Sequence, residues 1–207
     1  MAVDFQIQRA NMIESQVRTN DVSDAKLIAA INKVKRENFV EEASANFAYA
    51  EVAVKSKSGR FLLKPRDFAK LAQATMIESG DEVLVIAGSG GYSSAVFNAL
   101  GAKTTVIDNI SIAASENEIT IGNIETLAEL QDGMFDIIFV DGGVPRIPTS
   151  WGEKLKESGR LCVIVMVDGI GHAKIFVKSN GQISGRTIFD TKPPILTELN
   201  LSPEFVF

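Results

Sequence analysis

Over about the first 80 residues the hydrophobic positions recur at helical spacing; beyond them they gather into short unbroken runs. Phe5, Ile7, Met12, Ile13 and Val17 form a loose helical stripe over residues 5 to 18. Asp24 is placed to cap a second helix, in which Leu27, Ile28, Ile31 and Val34 share one face. Pro65 suits the first turn of a third helix carrying Phe68, Leu71, Ala72, Thr75 and Met76, with Ser79-Gly80 as its stop. Between the second and third helices, residues 50 to 63 read as an extended connector.

From residue 82 the period changes. EVLVIA is a continuous apolar run, the pattern of a strand covered on both faces. A helix over 91 to 100, a strand at KTTVID, a strand at ITIG and a buried strand at FDIIFVD follow. Ser150-Trp151-Gly152-Glu153 has the form of a capping box, opening a helix that Gly159 closes before the strand RLCVIVMV. Asn180-Gly181 between AKIFVKS and QISGRTIF predicts a tight hairpin. Strands alternating with helices imply a parallel sheet with right-handed crossovers, here finished by an antiparallel pair. The expectation is one domain over 1–207, with a mainly helical segment over 1–80 and an α/β core over 81–207.

Composition narrows the chemistry. With 45% hydrophobic and 23% charged residues the 207-residue chain reads as an ordinary globular protein, and its runs are too short to span a bilayer. A formal net charge of -5 and the lack of clustered Lys and Arg argue against a nucleic-acid partner. The start, MAVDFQIQR, lacks the apolar stretch of a secretory signal. One cysteine excludes an intramolecular disulfide and a cysteine-based zinc site, so no metal is expected and the implied compartment is the cytoplasm. Cys162 reads as a buried small hydrophobe, and His172, the one histidine, as a solvated loop residue.

The candidate chemistry lies in EVLVIAGSGGYSSAVFNALGAKTTVID, residues 82 to 108. A turn between a buried strand and a helix needs glycine for positive φ and for close approach of a ligand to bare backbone. Gly88, Gly90 and Gly91 supply that turn, Ser89 adds a hydroxyl, and the helix N-terminus behind them favours a negative group. Asp108, ending the next strand, is placed to accept hydrogen bonds from ribose hydroxyls. Gly88-Ser89-Gly90-Gly91-Tyr92-Ser93 nearly fits a dinucleotide fingerprint, with serine where the third glycine belongs. The same layout also holds S-adenosylmethionine (SAM) in methyltransferases. The long helical segment before the loop and the hairpin after the sheet favour the SAM reading over an NAD-type oxidoreductase.

The N-terminal stretch MIESQVRTNDVSDAKLIAAINKVKRENFVEE resembles protein-L-isoaspartate O-methyltransferases through Met12, Gln16, Asp24, Val34, Arg36, Phe39 and Val40, with Lys35 replacing the family proline. Ala48-Tyr49, SGRFLLKPRDFAKLAQA, GSGGYSSAVFNALG, FDIIFVDGG, SGRL and the FVF ending extend the likeness over nearly the whole chain, in the manner of a short bacterial branch. The resemblance implies a Rossmann-like SAM-dependent methyltransferase sheet, SAM as cofactor, and isoaspartyl residues of damaged proteins as substrate, repaired by way of a methyl ester. It implies that Gly88 to Tyr92 hold the methionine part of SAM, Asp108 the ribose, and that Asp141 borders the reactive side of the cleft. No residue is assigned as catalytic.

Three departures define a second reading, a catalytically silent relative acting as a binding or scaffolding module. Val85 stands where the family's loop carries an acid, and Ala87 and Ser89 stand at its glycine positions. Leu63 stands where it carries an active-site hydroxyl; Arg60 and Lys64 nearby read first as solvated surface cations, with attraction of a substrate carboxylate as the alternative. The connection after Asp108 is short, and the family's later acid falls on Gly122-Asn123. In this register, aspartate at 85 and serine at 63 are the changes expected to raise activity.

Overall fold

The computed structural model of the chain describes residues 4–88, 90–109 and 119–199. Helix α1 (Phe5–Met12) opens on Asp4, whose side chain accepts from Gln6 N and Ile7 N, and continues as a π turn (Ile13–Val17) and a 3-10 turn (Arg18–Asn20). Helix α2 (Ala25–Lys33) starts where expected, Asp24 accepting from Lys26 N and Leu27 N. The connector is a small antiparallel hairpin, β1 (Val54–Lys55) with β2 (Phe61–Leu62). Helix α3 (Pro65–Thr75) has proline in its first turn but ends before Ser79-Gly80. Thr75 Oγ1 donates to Ala72 O at 2.6 Å, and Met76 takes the left-handed conformation that ends the helix. Gly80 instead turns the chain into the sheet, its N–H donating to Gly101 O.

Strand β3 (Glu82–Ile86), helix α4 (Tyr92–Ala99), and strands β4 (Lys103–Asp108) and β5 (Ile119–Ile121) come next. The short crossover between β4 and β5 lies largely outside the described residues, as does the FVF ending. Strand β6 (Phe135–Val144) is followed by helix α5 (Thr149–Lys154), strand β7 (Leu155–Val167) and the pair β8 (Ile170–Ser179) and β9 (Gln182–Thr191). The seven-stranded sheet runs β5-β4-β3-β6-β7-β8-β9, parallel from β5 to β7 and antiparallel from β7 to β9. Asn180 and Gly181 both have positive φ, the conformation a two-residue hairpin turn requires.

The capping box does not form. Pro148 precedes α5 with no side-chain cap, because Ser150 Oγ donates to Glu125 O instead. The helix stops at Lys154, and Gly159 falls inside β7, where pairing with β6 slips between Phe135 and Ile137. A Cβ on Gly159 would lie 2.8 Å from Lys156 O, so the bulge needs glycine.

Side chains along β3 alternate between two packed faces. Val83 and Val85 join a cluster built with Met12, Leu27, Ile31, Leu63, Phe68 and Phe97. Leu84 and Ile86 join one built with Ile107, Ile124, Trp151, Leu161, Leu196 and Leu199. The central strands β3 and β6 are thus buried on both faces, which explains their unbroken apolar runs. Cys162 is buried in β7, as expected.

Candidate functional site

The turn after β3 takes shape from backbone constraints. Ala87, whose N–H donates to Ile107 O at 2.9 Å, has φ +55°, and Gly91 has φ +73° with its N–H donating to Gly88 O at 2.8 Å. Gly88 is glycine because Val85 Cγ1 occupies the space a side chain there would need. Gly90 has the same role toward the β2 hairpin: a Cβ on it would lie 2.5 Å from Leu62 Cδ2. Ser89 lies outside the described residues.

Tyr92 opens α4, but its side chain is buried away from the turn. It packs edge-on to Phe39, tilted against Phe68, and beneath the guanidinium of Arg36, 4.8 Å from its ring centre. Burial, ahead of the opposing Arg36 charge, raises its hydroxyl pKa. Any hold of Tyr92 on a ligand falls to its main chain.

Asp108 ends β4 with a fully buried carboxylate. Arg60, carried past β4 by the β1–β2 hairpin, grips both its oxygens: Nη2 lies 2.6 Å from Oδ1 and Nε 3.2 Å from Oδ2. The same guanidinium reaches Asn109 Oδ1 at 2.7 Å and Glu198 Oε1 at 2.7 Å. Burial opposes the charge on Arg60, yet the hydrogen bond and charge of Asp108 together with Glu198 raise its pKa. The sequence reading of Arg60 as a solvated cation is therefore corrected: its side chain is 10% exposed.

Asp141 lies in β6 next to Gly142-Gly143, 5% exposed. Ser93, in the first turn of α4, donates to Asp141 Oδ2 at 2.6 Å. Burial pushes the Asp141 carboxyl up to about 6, against the lowering effects of Ser93, Arg36 and Arg60 and with a raising contribution from Asp108. The structure thus brings the α4 N-terminus, Asp141, Arg36 and the Asp108–Arg60 pair into one electrostatic neighbourhood at the C-terminal end of the sheet.

The N-terminal motif residues shape the wall of this site. Arg36, 1% exposed, donates to Ala48 O at 2.7 Å and Leu63 O at 2.6 Å. Gln16 donates to Tyr49 O at 2.9 Å, and the Tyr49 hydroxyl sits between Arg9 and Glu37. Leu63 is 1% exposed and packs in the first cluster. Lys64 is drawn aside, 3.6 Å from Asp67 and 3.5 Å from Thr191 Oγ1. His172 is a strand residue of β8, not a loop residue, and shares a 2.6 Å hydrogen bond with Asp190 on β9.

Ser93, Glu198 and the buried role of Arg60 were missed by sequence reasoning. Ser93 had a signal, since a hydroxyl in the first turn of a helix can face the end of a neighbouring strand. The Arg60 contacts had none, because their partners lie 48 and 138 residues away along the chain. Among the described residues no group of acids, His and Cys could hold a metal ion, and no helix is long and apolar enough to cross a membrane.

Comparison with known proteins places this architecture. A model of the family described as protein-L-isoaspartate(D-aspartate) O-methyltransferase (PCMT) matches residues 7–192. A protein-L-isoaspartate O-methyltransferase of Rhodopseudomonas palustris is 29% identical over 76% of this chain and 77% of its own length. One from Opitutus terrae is 28% identical over 91% of this chain and 84% of its own length. The fold is similar to that of a Plasmodium falciparum protein of this description in complex with S-adenosyl-L-homocysteine, with a TM-score of 0.76 and 18% identity over 95% of this chain and all of that one. From residue 7 to residue 192, therefore, this chain belongs to the protein-L-isoaspartate(D-aspartate) O-methyltransferase family.

Proposed function

We propose that the chain is a SAM-dependent methyltransferase that esterifies isoaspartyl carboxylates in damaged proteins. The family match across nearly the whole chain carries this reading. The site supports it with a glycine turn that opens a helix and a buried acid at the end of the adjoining strand.

The residues fit the donor in kind. The main chain of Gly88, Gly90, Gly91 and Tyr92, with Ser89 as the remaining loop member, would hold its methionine part, and Asp108 would accept from the ribose hydroxyls. Asp141, steadied by Ser93, would border the methyl end. Bound SAM supplies a methyl group activated on sulfonium, so alignment of the acceptor counts for more than proton transfer. Arg36 holds the carbonyls of Ala48 and Leu63 in place, which fixes the wall against which an acceptor would be aligned. With Leu63 packed in the core, no hydroxyl from that position meets the substrate. A cytoplasmic location belongs to the same proposal, supported by the single, buried cysteine.

Two measurements test this reading. Calorimetric titration with S-adenosylhomocysteine should show saturable binding, and transfer of a labelled methyl group from SAM to an isoaspartyl peptide should exceed transfer to its aspartyl twin. Lack of binding and of transfer would overturn it.

A further inference from the structure

The segment after β9 does not leave the sheet. Pro193–Leu199 turns back across the C-terminal ends of the parallel strands and is fastened at three points. The first is main-chain: Gly143 N donates to Pro194 O at 2.7 Å, Leu196 N donates to Gly143 O at 2.8 Å, and Ile195 bridges Gly143 in parallel. The second is apolar: Leu196 and Leu199 are 3% and 0% exposed, buried in the cluster that includes Ala87 and Ile107. The third is ionic: Glu198 holds the Arg60 guanidinium whose other face grips Asp108.

The glycine pair of β6 accommodates this strap. A Cβ on Gly142 would lie 2.9 Å from Leu196 Cγ, and one on Gly143 would lie 2.6 Å from Pro193 Cγ. The β1–β2 hairpin approaches from the other side, setting Leu62 on Gly90 and Arg60 on Asp108. A carboxylate gripped by a guanidinium through both oxygens has its best acceptor directions taken. Arg60 therefore holds the very oxygens that a ribose diol would need.

We propose that Arg60 and Glu198 form a latch, joining the Pro193–Leu199 strap to the β1–β2 hairpin, that occupies the ribose-accepting carboxylate of Asp108 and must open before the donor nucleoside enters. This rests on the SAM reading of the site. It makes apparent cofactor affinity the intrinsic affinity reduced by the fraction of molecules whose latch is open. Opening is assisted by salt, because the Glu198 end of the ion pair is partly exposed.

The test combines a strap readout with a ligand readout. Amide hydrogen exchange at Leu196 and Gly143 reports the strap without any ligand, and calorimetry with S-adenosylhomocysteine reports the site. In Glu198→Gln, a mild change at the exposed end, exchange of the Leu196 amide should quicken by about two- to five-fold and the apparent Kd should fall by a similar factor. Arg60→Gln, which takes the guanidinium grip off Asp108, should tighten binding by about ten-fold. Unchanged exchange and unchanged affinity in both variants overturn the latch alone. Faster exchange with unchanged affinity overturns its role as a gate. Exchange that responds while no form of the protein binds S-adenosylhomocysteine overturns the donor reading of the site, and the gate with it.

Discussion

Ser93 Oγ donates a 2.6 Å hydrogen bond to Asp141 Oδ2, tying the first turn of α4 to strand β6. The bond favours the charged carboxylate, but burial outweighs it and leaves the folded-state pKa raised to about 6. A raised carboxyl pKa means that the unfolded chain loses this proton first. Stability is therefore lost as pH rises from near 4 to near 6, by about 3 kcal/mol at neutral pH. Asp141→Asn removes that titration, so its stability relative to the wild type should improve by about 2–3 kcal/mol between pH 4 and pH 7. Urea unfolding at the two pH values measures this, and a constant difference would refute the assignment.

Arg36 is expected to be the costliest of the N-terminal motif residues to truncate. Its guanidinium satisfies two buried carbonyls and covers the Tyr92 ring. Arg36→Ala leaves Ala48 O and Leu63 O without that donor and opens a void, for an expected loss of about 3–5 kcal/mol in urea unfolding. Arg36→Lys keeps the charge but cannot reach both carbonyls with one fork, so it should fall between the two.

Introducing the acid and the hydroxyl that the family resemblance implies at positions 85 and 63 should not raise activity, contrary to the expectation from sequence. Val85 is fully buried between Gly88 and the first hydrophobic cluster, and Leu63 is buried in the same cluster. Val85→Asp places a charge among apolar side chains, and a loss above about 4 kcal/mol is expected. Leu63→Ser should lose about 3 kcal/mol through the cavity and the buried hydroxyl. Methyl transfer to an isoaspartyl peptide, corrected for the folded fraction in a thermal melt, should stay at or below wild type. A rise in either single variant would show that these side chains face the cleft.

Ala87 is a milder case. It occupies the left-handed region at φ +55° while 1% exposed. Ala87→Gly relieves roughly 1 kcal/mol of backbone strain and gives up roughly 0.8 kcal/mol of buried methyl. The net change in urea unfolding should lie within about 0.5 kcal/mol of zero. A buried alanine outside the left-handed region would show a clear loss, so the comparison with Ala173→Gly in β8, fully buried and without positive φ, makes the expectation specific.

What the sequence revealed follows the range of the forces involved. Asp24 and Pro65 mark helix starts by local hydrogen bonding and fixed φ, and both starts are where their residues place them. Asn180-Gly181 marks a hairpin by local backbone conformation alone. Gly80 and Ser150 misled because each had a distant competitor: Gly101 O for the first and Glu125 O for the second. The site divides the same way. Gly91 and Asp108 could be read from the strand–turn–helix pattern. The Arg60 grip on Asp108 depends on folding a hairpin across the sheet, and no spacing within the chain announces it.

The two-faced burial of β3 has a consequence for how the protein can come apart. The helices ahead of the glycine turn roof one side of the sheet, contributing Met12, Leu27, Ile31 and Phe68 to the same cluster as Phe97 and Phe139. A protease nick that released them would strip the shelter from β3, β6 and β7 together. Resistance to cleavage in the N-terminal third should therefore track the integrity of the whole sheet, and the two should be lost in one step.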